Sequence, residues 1–208
     1  TFAQIRLFNG LNLSMSLIST GGFLPTDSLE NIIKTPIQKF SLLLSIIISI
    51  VNLFFIFNIF KKGAILRNHQ EDLFLIGFYL ISSLILIFFL KNFEILDIFI
   101  NVASSLSNSG ISIKSIPSNF TLYFLFLTIV GGSLISNTSG IKLIRIYILL
   151  KSTTTEILKL VRPNNIVSQN ILFSNKKITN ETIKISFFIF ISFFLSIFAL
   201  SGIMIFDT

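Results

Sequence analysis

The chain has 208 residues, of which 52% are hydrophobic and 12% charged, with a formal net charge of +7. A soluble domain carries about a quarter charged residues, so this composition, with a mean hydropathy of +0.87, excludes an ordinary soluble enzyme and predicts a membrane protein. The absence of cysteine excludes disulfides and thiolate metal sites. The positive charges lie between apolar runs, as topology determinants rather than a nucleic-acid footprint, so no nucleic-acid partner is expected.

Residues 1–18 are moderately apolar and carry Arg6 and Asn9. A full span needs about 20 apolar residues, so this stretch predicts a re-entrant half-helix. No signal peptide is expected, and a chain that begins at Thr1 reads as a fragment. The stretch ends in Ser19-Thr20-Gly21-Gly22-Phe23. Paired glycines beside hydroxyl residues permit backbone conformations that a Cβ disfavours. Irregular backbone at membrane depth is tolerated where it is buried in protein or lines a watery cavity. The plainer reading of one such copy is an ordinary Gly turn.

Residues 40–60 form an unbroken apolar run, interrupted most strongly by Asn52 and Asn58, and predict a span. Lys61, Lys62 and Arg67 follow, and residues 73–90 predict a second span, preceded by Glu71 and Asp72. His69 is the sole histidine and reads as a solvated loop residue. Residues 93–106 are short and mixed, with Glu94, Asp97 and Asn101, and lead into Ser107-Asn108-Ser109-Gly110-Ile111. Glu94 and Asp97, like Asp27 and Glu30, either concentrate cations at an outer mouth or occupy solvated helix starts favoured by the helix dipole.

Residues 122–150 read as one span broken near its middle by Gly131, Gly132 and the polar run Ser136-Asn137-Thr138-Ser139-Gly140. Lys142 and Arg145 near membrane depth either snorkel to the interface or act on the ion path. Residues 151–182 are polar, with a turn at Pro163-Asn164-Asn165, and residues 183–206 predict the last span.

An offset of 88 residues sets Gly22 on Gly110, Ser16 on Ser104 and Ser19 on Ser107. Each copy reads as half-helix, Gly turn, polar loop and long apolar run, as in a pseudo-symmetric pore. Carbonyls of Thr20, Gly21 and Gly22, with Asn108, Ser109 and Gly110, are candidates to line a central path and replace a potassium ion's hydration shell. Lys and Arg favour one side: Lys61, Lys62, Arg67, Lys151, Lys159, Arg162, Lys176, Lys177 and Lys184 against Arg6, Lys34, Lys39, Lys91 and Lys114. The richer side is cytoplasmic by the positive-inside bias, and both Gly turns then open outward.

The run from Ser19 to Asp27 resembles a filter of the Trk/Ktr/HKT potassium transporters. The stretch from Gly131 through Gly140 into Ile141-Lys142-Leu143-Ile144-Arg145 is similar to that family's Gly-rich intramembrane loop and the basic helix after it. Lys151 and Arg162-Pro163-Asn164 also fit. The resemblance implies an all-α polytopic membrane protein of repeated span, pore half-helix, filter loop and span units. It places the end of a second unit at 1–60, a cytoplasmic loop at 61–72, a third unit at 73–150, a second cytoplasmic loop at 151–182 and the first span of a fourth unit at 183–208.

It further implies potassium uptake across a bacterial cytoplasmic (inner) membrane. Gly22 and Gly110 would be filter glycines. Gly131, Gly132, Ser136, Asn137, Thr138, Ser139 and Gly140 would form a gate loop, with Lys142 and Arg145 on the helix after it. The resemblance implies a homodimer in the lipid bilayer, a cytoplasmic nucleotide-binding regulatory subunit, and potassium as substrate with no bound cofactor. With half a filter, the 208-residue chain alone is expected not to conduct. No nucleophile, metal cluster or phosphate loop appears, so no enzyme is expected. The alternatives are a secondary transporter that holds another cation or small solute at broken helices, or a non-transporting scaffold.

Overall fold

The computed structural model describes residues 5–26, 28–60, 70–91, 93–114, 117–162 and 178–206. Asp27, Lys61, Lys62, Arg67, His69, Pro163-Asn164-Asn165, Lys176 and Lys177 lie outside the described residues. Regular structure among the described residues is helical: α1 (Leu7–Ser19), α2 (Pro36–Ile50), α3 (Leu53–Phe60), α4 (Gln70–Phe89), α5 (Ile95–Ser107), α6 (Thr121–Val130), α7 (Leu143–Val161) and α8 (Asn180–Phe206), with short 3₁₀ turns at Leu29–Asn31 and Ser118–Phe120. Contacts divide the chain into two units, Thr1–Lys142 and Leu143–Thr208.

In the first unit α5 is the hub, packed against α2, α4 and α6, while α1 packs on α2. Its 13 residues reach about 20 Å at 1.5 Å per residue, too short to span a bilayer. Ile98, Ile100, Val102, Ala103 and Leu106 bury it almost completely. α4 has the length and apolarity of a membrane span.

Local chemistry explains the start of α2. Pro36 occupies the first turn, where its missing N–H leaves no bond unmade. Thr35 Oγ1 accepts from the Gln38 N–H, and Gln38 Oε1 accepts from the Thr35 N–H at 3.1 Å. One turn on, Lys39 Nζ reaches Glu94 Oε2 at 2.5 Å and Asp97 Oδ1 at 2.6 Å, across the start of α5.

The apolar run 40–60 is not one helix. It breaks at Val51, which is extended at φ −80°, ψ 155°, and resumes at Leu53. Asn52 Oδ1 accepts from the Phe54 N–H at 2.9 Å and caps the resumed helix, and the Asn52 N–H donates to Asp72 Oδ1 at 3.1 Å. An internal cap and a buried acid supply the bonds that an unbroken helix would have made within itself.

The second unit packs α7 against α8. The segment 151–161, expected as loop, continues α7. Its hydroxyls turn back onto the helix: Thr153 Oγ1 to Leu149 O at 3.1 Å, Thr154 Oγ1 to Lys151 O at 2.9 Å, and Thr155 Oγ1 to Ser152 O at 2.7 Å. α8 begins where Thr179 and Thr182 cap one another and is long and apolar enough to cross a membrane.

Candidate functional site: two left-handed turns and an irregular loop

The 88-residue repeat holds at the level of backbone geometry. α1 and α5 each have 13 residues, and each ends on a non-glycine residue in the left-handed region, Thr20 at φ 53° and Asn108 at φ 58°. For a β-branched residue such as Thr20 this is an outlier, of the kind that clusters at functional sites. Gly21 N–H donates to Ser16 O at 3.0 Å, and Ser109 N–H to Ser104 O at 3.1 Å. These bonds close both helices in the same Schellman-type manner. Two residues beyond each cap, Gly22 (φ 71°) and Gly110 (φ 65°) are again left-handed.

The two turns touch. A Cβ on Gly22 would lie 2.5 Å from Ser109 O, inside any permitted contact. Gly22 is therefore required twice, for its φ and for its approach to the other turn. At Gly110 the Cβ direction meets no atom of the described residues within 4 Å, so among them only the φ constrains it.

Support behind the turns is unequal. Ser109 Oγ lies 3.1 Å from Ser104 Oγ and 2.9 Å from Ser107 Oγ, a buried hydroxyl cluster under the second turn. At the first turn Gly21 has no hydroxyl to match Ser109, and Ser16 Oγ, the counterpart of Ser104, is buried with no hydrogen-bond partner among the described residues. A cavity of about 400 Å³ opens beside it, lined by residues that include Asn12, Ser16, Ser19 and Phe23.

α6 stops at Gly131 (φ 68°), and an irregular loop runs to Lys142. The loop's backbone groups find partners in the break between α2 and α3. Ser133 N–H donates to Ile50 O at 3.0 Å, and Leu53 N–H donates to Ile135 O at 3.2 Å. Glu71 Oε1 accepts from the Leu134 N–H at 2.6 Å. The adjacent acids at the start of α4 thus divide their work, Asp72 on the helix break and Glu71 on the loop. Buried backbone polar groups demand such partners, and in a membrane the requirement is absolute.

Lys142 precedes α7 rather than lying on it as expected; its φ of 79° is incompatible with a helix. Its side chain is 7% exposed. The ammonium folds back onto the loop and donates to Ser136 Oγ at 3.1 Å, Thr138 Oγ1 at 3.0 Å and Thr138 O. It therefore does not snorkel. Gly132 N–H donates to Thr138 Oγ1 at 3.1 Å, and Ser136 Oγ lies 2.8 Å from the same oxygen. The structure brings together Gly131, Gly132, Ser136, Thr138, Gly140 and Lys142. Asn137 and Ser139 are exposed, and Arg145 belongs to the second unit.

Asp97 is fully buried, so it serves neither as a solvated helix start nor as a mouth group. With Lys39 it ties α2 to α5, and Lys114 Nζ lies 3.6 Å from its second oxygen. Glu94 stays largely exposed at the same cluster. The Lys39 ammonium, through hydrogen bond and charge, holds the Glu94 carboxyl below its ordinary value. Sequence reasoning missed Glu71, Asp72 and the Asn52 cap; the usable signal was an acid pair opening a span and a lone Asn inside an apolar run.

No family model matches the chain. It is 28% identical over 201 residues to an uncharacterized cation transporter of Methanocaldococcus jannaschii, covering 92% of this chain and 41% of that protein. Among solved structures it aligns with the potassium transporter TrkH from Vibrio parahaemolyticus at a TM-score of 0.76 and 19% identity, over 95% of this chain and 45% of that one. The chain has the fold of the part of TrkH with which it aligns. That fold agrees with the all-helical regular structure of the described residues. The chain spans less than half the length of either protein.

Proposed function

We propose that this chain is part of a potassium-uptake protein of a cytoplasmic membrane, and that the two left-handed turns supply part of its selectivity filter. One observation carries the reading: two half-helices, 88 residues apart, end in the same left-handed cap and the same left-handed glycine, and the turns meet at Gly22 and Ser109. In the proposed pore, carbonyls of Thr20, Gly21, Gly22, Asn108, Ser109 and Gly110 replace the ion's water. The half-helices α1 and α5 direct their negative C-terminal ends toward the cation. The loop from Gly131 to Gly140, clamped by Lys142, is the gate. The similarity to a cation transporter and to the TrkH fold supports the cation as substrate. A homodimer and a nucleotide-binding cytoplasmic regulator belong to the same reading.

The test is rubidium uptake by the complete protein in cells deficient in potassium uptake, competed by potassium and by sodium. Gly110→Ser is the variant of choice, because a side chain at Gly22 strikes Ser109 O whatever the selectivity. Uptake blocked by potassium and not by sodium, with that discrimination reduced in Gly110→Ser, is expected. Membrane-inserted protein without cation uptake, or discrimination unchanged in the variant, overturns the reading.

A further inference from the structure

A helix that ends leaves its last carbonyls without intrahelical donors. At the end of α6 three successive carbonyls are taken by three different parts of the first unit. Leu127 O accepts from the Gly131 N–H at 3.1 Å, which closes the helix itself. Thr128 O accepts from Asn108 Nδ2 at 3.2 Å, a bond from the second left-handed turn. Ile129 O accepts from the Ile141 N–H at 3.0 Å, a bond from the returning end of the loop. Gly140 packs on the same atoms, and a Cβ there would lie 2.9 Å from Thr128 O and 3.1 Å from Ile129 O. The turn and the loop thus grip neighbouring carbonyls of one helix end.

The repeat supplies an internal comparison. Thr20 occupies the position of Asn108 in the first turn, and its hydroxyl bonds locally, to Ser19 O at 2.7 Å. Asn tolerates the left-handed region better than Thr, and its amide is long enough to reach α6.

We propose that Asn108 is a positioning residue that couples the second turn to the intramembrane loop through Thr128 and Ile129. The proposal rests on the transport reading above for its functional consequence, not for the coupling itself. When the loop moves, Ile141 and Gly140 leave the end of α6, Thr128 O loses its packing, and the Asn108 side chain loses a fixed acceptor. Coupling of this kind is reciprocal: a cation held at the turn stabilises the loop in the arrangement seen here.

The experiment uses the complete protein containing this chain. Asn108→Gly keeps the left-handed turn available and removes the amide; Thr20→Gly is the matched control. Hydrogen exchange of the loop amides is read by mass spectrometry. At least a threefold acceleration over 131–142 is expected in Asn108→Gly and none in Thr20→Gly. Rubidium-over-sodium preference is then measured for Asn108→Gly, Lys142→Gly and the pair. The double variant is expected to differ at least threefold from the product of the single effects. Loop exchange unchanged in folded Asn108→Gly, or effects that simply multiply, overturns the coupling. If Asn108→Gly does not reach the membrane, Asn108→Asp keeps size and turn preference while setting an oxygen against Thr128 O, and the same readouts decide. A parent protein without cation uptake refutes the transport reading, and the exchange arm still settles the coupling.

Discussion

The most direct prediction concerns Gly22. Gly22→Ala must hold an L-residue at φ 71° and must place its Cβ where Ser109 O stands 2.5 Å away. The left-handed conformation costs a residue with a Cβ roughly 1–2 kcal/mol. Forcing an extra methyl into a packed site costs about 1–3 kcal/mol more, and here the obstructing atom is backbone and cannot swing aside. The sum is about 2–5 kcal/mol, a large part of a typical folding free energy. Gly10→Ala is the control. Gly10 lies inside α1, where a Cβ would meet one methyl at 4.0 Å, and Gly→Ala in a helix interior gains about 0.5–1 kcal/mol. Thermal unfolding of the complete protein in detergent, followed by loss of folded monodisperse protein, gives the comparison. Gly22→Ala should melt well below the parent and Gly10→Ala at or above it. A Gly22→Ala protein as stable as Gly10→Ala would show that the two turns do not approach as described.

Three further outcomes follow from the charged groups. Glu71→Ala removes the acceptor of the Leu134 N–H; loss of a charge-assisted bond of about 1.5 kcal/mol predicts roughly tenfold faster exchange at that amide, and Glu71→Gln, which keeps an oxygen there, should exchange more slowly than Glu71→Ala. Asp97→Asn breaks a buried ion pair with Lys39 and should destabilise by about 3 kcal/mol in chemical denaturation, whereas Glu94→Gln, at a side chain 63% exposed, should change little; equal losses in the two variants would refute the assignment of Asp97 as the anchor. The Glu94 carboxyl is held low by Lys39, so its contribution is present above the ordinary carboxylate value of 4.5 and is lost as pH falls through the depressed folded value; Glu94→Gln should remove that part of the acid-side loss in a stability titration.

The parts legible in the sequence were those set by local chemistry. α4 and α8 are long apolar runs opened by polar residues, and their limits fall within three residues of the expected 73–90 and 183–206. The short helices α1 and α5 were legible because each runs into hydroxyl and glycine residues that end a helix in the left-handed region. The continuation of α7 through Ser152-Thr153-Thr154-Thr155 was not, since these residues favour loops unless their hydroxyls bond back to the helix, as they do here.

What stayed hidden was long-range. Nothing within 40–60 requires a break at Val51, because Asn52 alone is weak punctuation in an apolar run. The break is sustained by Asp72, 20 residues on, and by Ser133 and Ile135, some 80 residues on. In the same way the local sequence around Asp97 reads as a surface acid, whereas its buried carboxylate is paired with Lys39, 58 residues earlier. The two cases share a cause. A buried interrupted backbone or carboxylate has no water to turn to, so it persists only if another segment supplies the partner. A polar residue inside an apolar run therefore points to a second polar residue elsewhere in the chain. Asn52 with Asp72 is such a pair; with the bonds from the Leu134 backbone N–H to Glu71 and from Asn108 to the Thr128 carbonyl, it joins the broken span, the loop and the second turn into one hydrogen-bonded frame.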